Sequence, residues 1–231
     1  CSTRSLQCKL LATRSQSCYT VGPMPALKGS LTYARFFVEG EPPKDFREKY
    51  LRAIRLRAMQ PLVADDDVAE RSGWCAIGEP FDVDLHYEGV FYNNFINLGF
   101  RTDRWAIPGP LLRTRVREAE NAYLLKRGRE RLSRSEKAEL KEVVARKLRK
   151  QFVPTTRATD LSWSLEDGVV RFFSQSVRPT ANMLELFTKT FGLKLLPEAP
   201  YTLAARLGLD KLEEQAWTRL EMTQLAAAEE R

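Results

Sequence analysis

Arginine and lysine are concentrated in one part of the chain. Residues 101–150 contain sixteen Lys or Arg against seven Asp or Glu, a local net charge of +9, whereas the whole chain of 231 residues carries +7. Such a concentration of cations attracts phosphate backbones, because each phosphate that is neutralised releases condensed counterions. A solvated pair of helices with ordinary surface Lys and Arg has the same composition. The charge therefore leaves two interpretations open, a nucleic-acid site and a solvated surface.

A second group of residues has the types that metal ions prefer. Asp82, Asp84 and His86 alternate in the segment FDVDLHYEG, and in an extended segment all three would project from one face. His86 is the sole histidine, and no Gly-rich phosphate loop, Cys-x-x-Cys pair or Ser–His–Asp arrangement accompanies it. We interpret these acids, and the acidic triplet (Asp65, Asp66 and Asp67), as solvated surface. The prediction is therefore no metal, no cofactor and no catalytic residue.

Two helices must carry the basic residues. The first is predicted over residues 110–127, because apolar residues recur at helical spacing and Gly128 follows them. The second is predicted to begin near Arg134, since Ser133 and Glu136 have the spacing of a capping box, and to end before Pro154. Its apolar face consists of Leu140, Val143, Val144, Leu148 and Phe152.

The predicted DNA contacts are the cations along these two helices and their connection. They are Arg113, Arg117, Lys126, Arg127, Arg129, Arg131, Arg134, Lys137, Lys141, Arg146, Lys147, Arg149 and Lys150. The last four also suit the negative end of a helix dipole.

The rest of the chain alternates short strands with helices. Strands are predicted at residues 31–38, 73–78, 90–102, 159–164, 169–174 and 193–196, and helices at 42–59, 180–192 and 201–231. Thr180 is the predicted cap of the second of these helices. This order favours an α+β domain with a mostly antiparallel sheet, packed helices and a projecting basic helical hairpin. We assign residues 24–108 and 153–200 to the central domain, 109–152 to the basic helical hairpin and 201–231 to a short, net acidic helical tail.

The beginning of the chain has a different composition. Three of the four cysteines lie in the first eighteen residues, which is no disulfide framework. Residues 1–23 are predicted to be a disordered leader or a mis-called start, with Met24 as the true first residue; a lipid-bearing Cys1 is the alternative. No run reaches the roughly 18 apolar residues of a membrane span, so we expect no membrane partner and a cytoplasmic location.

Several segments together resemble one known family. They are Gly29 to Val38, Ser72-Gly73-Trp74 to Pro80, Ala106-Ile107-Pro108-Gly109, the run RERLSRSEKAELKEVVARKLRKQFVP (129–154), Trp163 with Asp167-Gly168, and residues 186–197. In order and spacing they resemble the recombination-associated protein RdgC family over about residues 27–200. The net acidic tail of about 30 residues after Pro200 predicts a short form with a reduced C-terminal region.

The resemblance implies a function as well as a fold. It implies a bacterial, nucleoid-associated protein that binds double-stranded DNA without strong sequence preference, as a homodimer closing into a ring, and that restrains the RecA recombinase. It places residues 113–150 as a projecting subdomain that contributes to the dimer contact and to the path of the DNA.

Two other functions stay open from the sequence. One is a metal-dependent exonuclease, which needs convergent carboxylates to hold ions about 3.5–4 Å apart. The other is a protein-interaction module in which the hairpin pairs with another helix. Phosphate binding weakens steeply with salt whereas apolar helix pairing does not, so salt dependence separates DNA binding from helix pairing.

Overall fold

The computed structural model describes residues 32–219. In chain order the elements are β1 (Ala34–Glu39), α1 (Phe46–Leu56), β2 (Glu70–Cys75), α2 (Tyr87–Val90), β3 (Phe91–Tyr92), β4 (Phe95–Arg104), α3 (Gly109–Arg127), α4 (Arg134–Arg149), β5 (Thr155–Ser164), β6 (Val169–Phe172), α5 (Val177–Phe191), β7 (Lys194–Pro197), α6 (Pro200–Leu207) and α7 (Lys211–Thr218).

The strands form one antiparallel sheet in the order β2-β4-β5-β6-β1-β7, with the short β3 also paired to β4. Strands β4 and β5 are the longest, and they pair along their whole length from Phe95 opposite Ser164 to Arg104 opposite Thr155. The tight turn between β5 and β6 uses Gly168 at φ 63, as the Asp-Gly pair predicts. The predicted α+β class with a mostly antiparallel sheet is confirmed.

One face of the sheet carries the core. Trp74, Phe100, Trp163 and Phe172 project from this face, where α1 and α5 cover them. The ring of Trp163 lies 5.3 Å from the rings of both Phe187 and Phe191 on α5. Full burial of each such side chain stabilises the fold by roughly 1.5–3 kcal/mol.

The Trp74 indole also finds a polar partner in the core. Its Nε1 donates to the Thr190 hydroxyl of α5 at 2.9 Å. This hydrogen bond fixes α5 against β2 as well as satisfying a buried donor.

The opposite face of the sheet contains a close approach between β2 and β4. A Cβ on Gly99 would lie 2.6 Å from the Sγ of Cys75 and 2.9 Å from the carbonyl oxygen of Ala76, so only glycine fits there. Cys75 is fully buried, and burial raises the pKa of its thiol to about 12.

Several element boundaries differ from the sequence predictions. Helix α5 begins at Val177 with Ser176 as its N-cap, so the prediction that Thr180 caps it was wrong. The predicted tail helix is two helices in its described part, because Gly208 at φ 69 ends α6. The predicted leader, residues 1–23, and the end of the tail, residues 220–231, lie outside the described residues.

Asp82, Asp84 and His86, which the sequence suggested could share one face of an extended segment, lie in a loop before α2 rather than in a strand. The Nε2 of His86 lies 3.1 Å from a carboxylate oxygen of Asp84, and the carboxylate of Asp82 accepts from the amide of Asp84. Within residues 32–219, no three His, Cys, Asp or Glu side chains are grouped as metal ligands would be. None of the helices in that part of the chain is long and apolar enough to cross a membrane.

Candidate nucleic-acid interface

Helices α3 and α4 form the basic hairpin, which leaves the sheet after β4 and returns to it at β5. Helix α3 ends at Gly128, whose φ of 61 is the left-handed conformation that glycine adopts without cost, and whose amide donates to the carbonyl of Leu124. The bounds of both helices lie close to those predicted from Gly128, Ser133 and Pro154, because each of these signals is local.

The start of α4 is held by the capping box. The Ser133 amide donates to the Glu136 carboxylate at 2.9 Å, and the Glu136 amide donates to the Ser133 hydroxyl at 3.2 Å. Hydrogen bonding to Ser133, with help from nearby Arg129 and Arg127, lowers the pKa of the Glu136 carboxyl. An Arg129 guanidinium nitrogen lies 3.2 Å from a Glu136 carboxylate oxygen. This ion pair within the hairpin already neutralises part of the charge of Arg129.

The hairpin buries little apolar surface of its own. No residue of α3 is fully buried, and Leu125 is 85% exposed. The buried residues of α4 all lie in its last two turns. Near the turn, a small cavity of about 160 Å³ remains between the helices beside Tyr123 and Leu140. The outer part of the hairpin is therefore exposed on most of its surface.

The base of α4 is joined to the acidic triplet. Lys150 pairs with the Asp65 carboxylate at 2.8 Å, and Arg149 donates to the Asp66 carbonyl at 2.7 Å. Arg146 pairs with the Asp67 carboxylate. The triplet is thus not merely solvated surface, as the sequence suggested, but the contact that positions the base of the hairpin.

Arg149 must be withdrawn from the predicted DNA contacts. It is only 4% exposed, and its guanidinium also donates to Glu142 at 2.9 Å. Arg146 and Lys150 are partly exposed but already paired with aspartates. A phosphate would have to displace those carboxylates, so these three cations contribute less to an anion site than their charge suggests.

Other predicted contacts are free to meet a phosphate. The Arg127 guanidinium stacks on the Tyr123 ring, 4.9 Å from its centroid, and forms no ion pair with any described residue. Eight more cations are exposed and form no ion pair with any described residue: Arg113, Arg117, Lys126, Arg131, Arg134, Lys137, Lys141 and Lys147.

The free cations of α4 follow one face of the helix. Lys137 and Lys141 are one turn apart, and Val144 and Leu148 continue the same face at the next helical spacings. Val144 and Leu148 are buried, whereas Lys137 and Lys141 are exposed. One face of α4 is therefore apolar at its base and basic toward the turn.

The sequence contained a signal for the contact at the base of α4. Three consecutive aspartates and a basic helix end are complementary in charge, but residues 101–150 offer several basic runs that could pair with them. Only the packing of α4 beside the loop before β2 selects Arg146, Arg149 and Lys150.

The chain matches no protein-family model and no curated protein sequence. The family resemblance therefore rests on the sequence segments that carry it.

Proposed function

We propose that this protein binds double-stranded DNA through the basic hairpin, without catalysis and largely without sequence preference. The observation that carries the proposal is the set of eight exposed, unpaired cations on α3, α4 and their connection. Unpaired Lys and Arg on a projecting hairpin can neutralise phosphates and so release the counterions condensed on DNA, which is the main source of non-specific affinity.

The lack of sequence preference follows from how these side chains are held. The commonest direct contacts to bases are made in the major groove by side chains such as Arg, Lys, Asn or Gln held in a fixed orientation. Arg131 and Arg134 make no hydrogen bond to a described residue that would fix their guanidinium planes. Cations whose orientation is not fixed by a hydrogen bond position a protein on phosphates and carry no sequence information.

The family resemblance also supports a proposal for the location and cellular role of the protein. It supports a cytoplasmic, nucleoid-associated homodimer that modulates homologous recombination by restraining RecA. The exposed Leu125 and the absence of buried residues on α3 support a second copy covering part of the hairpin.

The test is binding of two unrelated fluorescent duplexes across a salt series. The variant Arg131→Gln, Arg134→Gln, Lys137→Gln and Lys141→Gln removes four unpaired cations. The control removes four exposed cations elsewhere: Lys44→Gln, Lys49→Gln, Arg52→Gln and Lys194→Gln. Both variants change the net charge equally, so any difference between them reports location.

We expect the hairpin variant to bind both duplexes more weakly and to equal extents. Its plot of log affinity against log salt should lose about 0.9 of slope for each lost phosphate contact. The control should keep a slope close to that of the unmodified protein. If the folded hairpin variant retained the original affinity and slope, the hairpin would not be the DNA site.

A hairpin that pairs with another helix is the second candidate. It is favoured by Leu125 and by Val143, which is 48% exposed despite its position on the apolar side of α4. Association through these side chains would persist at salt concentrations that release DNA.

A further inference from the structure

A second basic surface lies in a groove at the end of the sheet, apart from the exposed cations of the hairpin. The groove has a volume of about 630 Å³. Its floor is formed by the ends of β4 and β5, one wall by the first turns of α5, and another by residues 105–107, which connect β4 to α3. This volume lies within the range of small-molecule sites, roughly 300–1,000 Å³.

The charge of the groove is not balanced. Its charged lining residues are Arg104, Arg157, Arg178 and Glu70, a net charge of +2. The Glu70 carboxylate accepts hydrogen bonds from Arg178 at 2.6 Å and from Asn182 at 3.0 Å. It also forms a longer ion pair with Arg104 at 3.9 Å. Arg157 is exposed and has no ion pair with a described residue. One carboxylate therefore serves two of the arginines and leaves the third without a counterion.

The strand register brings two of these arginines together. Arg157 lies opposite Thr102, and Arg104 lies opposite Thr155, so both arginines project from the same face of neighbouring strands. Diagonal neighbours of this kind are about 7–8 Å apart. Two cationic side chains on such neighbouring positions raise the local positive potential, which favours an anion in the groove.

The other walls of the groove suit more than a bare anion. Phe100 lies at its floor, and Trp105 and Pro179 present apolar surface at its sides. The Nε1 of Trp105 is buried and has no hydrogen-bond partner among the described residues. Ser174 and Thr159 add hydroxyl groups to the lining. Cations, hydroxyls and flat apolar surface together match a phosphate joined to a sugar and a base.

We propose that this groove binds a nucleoside phosphate, with the phosphate among the three lining arginines, Arg104, Arg157 and Arg178, and the base against the apolar wall. A free nucleotide and the terminal nucleotide of a DNA strand share this chemistry. The proposal does not require duplex binding by the hairpin, because none of the hairpin cations lines the groove.

The test uses calorimetric titration of the full chain with thymidine monophosphate, thymidine and inorganic phosphate. We expect the nucleotide to bind at least tenfold more tightly than either of its parts. Equal affinity for inorganic phosphate would overturn the assignment of a nucleoside, and no heat with any of the three would overturn the site.

Variants locate the binding. Arg157→Gln and Arg178→Gln should each weaken nucleotide binding at least tenfold, whereas Arg52→Gln, an exposed arginine on α1, should leave it unchanged. Because Arg178 also holds Glu70, NMR shift changes at the Trp105 indole in the unmodified protein provide a second measurement that does not depend on a variant folding. Unchanged affinity in Arg157→Gln, or no shift change at Trp105 on adding the nucleotide, would contradict the site.

Two further measurements distinguish a free nucleotide from a DNA strand end as the ligand, and the groove site from the hairpin site. A tetranucleotide with a 5′-phosphate that binds more tightly than thymidine monophosphate identifies a strand end as the ligand, and the reverse order identifies a free nucleotide. The hairpin variant with four Gln substitutions should retain nucleotide binding, and Arg157→Gln should retain duplex binding. Loss of nucleotide binding in the hairpin variant would contradict a separate groove site.

Discussion

Gly73 marks the place where the main chain of β2 comes closest to the segment after α1. A Cβ at this position would lie 2.5 Å from the Cα of Met59 and 2.8 Å from its amide nitrogen. The two segments are joined by hydrogen bonds, from the Met59 amide to the Trp74 carbonyl and from the Trp74 amide to the Arg57 carbonyl. Backbone atoms cannot move aside as the end of a side chain can, so an added methyl group must displace the whole segment.

We therefore expect Gly73→Ala to lower the free energy of unfolding by about 1–3 kcal/mol, as overpacking does. Urea denaturation measures this change. Gly89→Ala is the matched control, because nothing lies within 4 Å of a Cβ there and the residue is in α2. Equal stabilities of the two variants would show that the segment after α1 is not held against β2.

Glu136 gives the hairpin a dependence on pH. Folding lowers the pKa of this carboxyl through hydrogen bonding to Ser133, so the ionised form is favoured in the folded state. The resulting stabilisation is present above the ordinary value of about 4.5 and is lost as the pH falls through the lowered value of the folded state. Acid should therefore weaken the first turn of α4.

The measurement is an NMR titration of the Glu136 carboxyl carbon. We expect its midpoint below the ordinary value in the unmodified protein and in Ser133→Thr, which keeps the hydroxyl. In Ser133→Ala the backbone amide still donates to the carboxylate, so the midpoint should rise only part of the way to the ordinary value. The same midpoint in all three proteins would mean that the Ser133 hydroxyl does not contribute to the lowered pKa.

At the scale of elements, the last turn of α4 depends on one buried cation. The Arg149 guanidinium bridges the Asp66 carbonyl and the Glu142 carboxylate, and its side chain is 5% exposed. Arg149→Ala should cost about 1–3 kcal/mol, because it leaves a carbonyl without its donor and removes packed methylene groups.

Lys150→Ala provides the comparison, since its pair with Asp65 is exposed on both sides. Exposed pairs contribute about 0–1 kcal/mol, so thermal unfolding should show a clearly smaller loss for Lys150→Ala. If Lys150→Ala were the more damaging substitution, the hairpin base would be held by surface charge rather than by the buried arginine.

The elements differ in how far the sequence could predict them. Helices α3 and α4 were predictable because Gly128, the Ser133 capping box and Pro154 act within a few residues of each boundary. The start of α5 was not, because Ser176 occupies the N-cap position without a side-chain capping hydrogen bond, so a search for a capping hydroxyl does not identify it. Pro179 lies in the first turn of the helix, where its missing amide is not needed, so the helix begins before it. Placing the N-cap at Ser176 requires knowing where the chain leaves β6.

The candidate site was predictable in composition but not in detail. The sequence alone does not show which Lys and Arg of a basic helix are exposed, because exposure depends on which turn of the helix is packed against the rest of the protein. Arg149 is buried because its turn meets the acidic triplet, whereas Lys141, two turns earlier, remains exposed. The groove was missed entirely, because Arg104, Arg157 and Arg178 are far apart in sequence and only the β4–β5 register and the start of α5 bring them together.

At the scale of the whole molecule, the hairpin and the sheet depend on different sources of stability. The sheet has a continuous aromatic core under α1 and α5, while α3 contributes no fully buried residue. A hairpin with so little interior gains much from any partner that covers its apolar side chains. This difference motivates the proposed homodimer.

Leu125→Glu tests the dimer. Leu125 is 85% exposed, so the substitution should change the stability of the single chain by no more than about 0.5 kcal/mol. If a second copy covers α3, sedimentation should show a shift toward monomer at equal concentration. Leu56→Glu, at a 75% exposed position on α1, is the control and should sediment like the unmodified protein. Identical behaviour of both variants would place any dimer contact away from Leu125.

The tight enclosure of Cys75 makes its alkylation rate a measure of how often the edge of the sheet opens. Only a thiolate reacts with iodoacetamide, and a buried thiol with a pKa of about 12 supplies almost none near neutral pH. Cys75 lies at the end of β2, an edge strand that closes over Gly99 of β4. Modification must then wait for β2 to separate, and the labelled fraction of the peptide containing Cys75, followed over time, reports that separation directly. Strand β2 also carries Glu70, whose carboxylate accepts hydrogen bonds from Arg178 and Asn182 at the groove. A ligand bound in the groove should therefore hold β2 in place and slow the alkylation of Cys75 on the opposite face of the sheet.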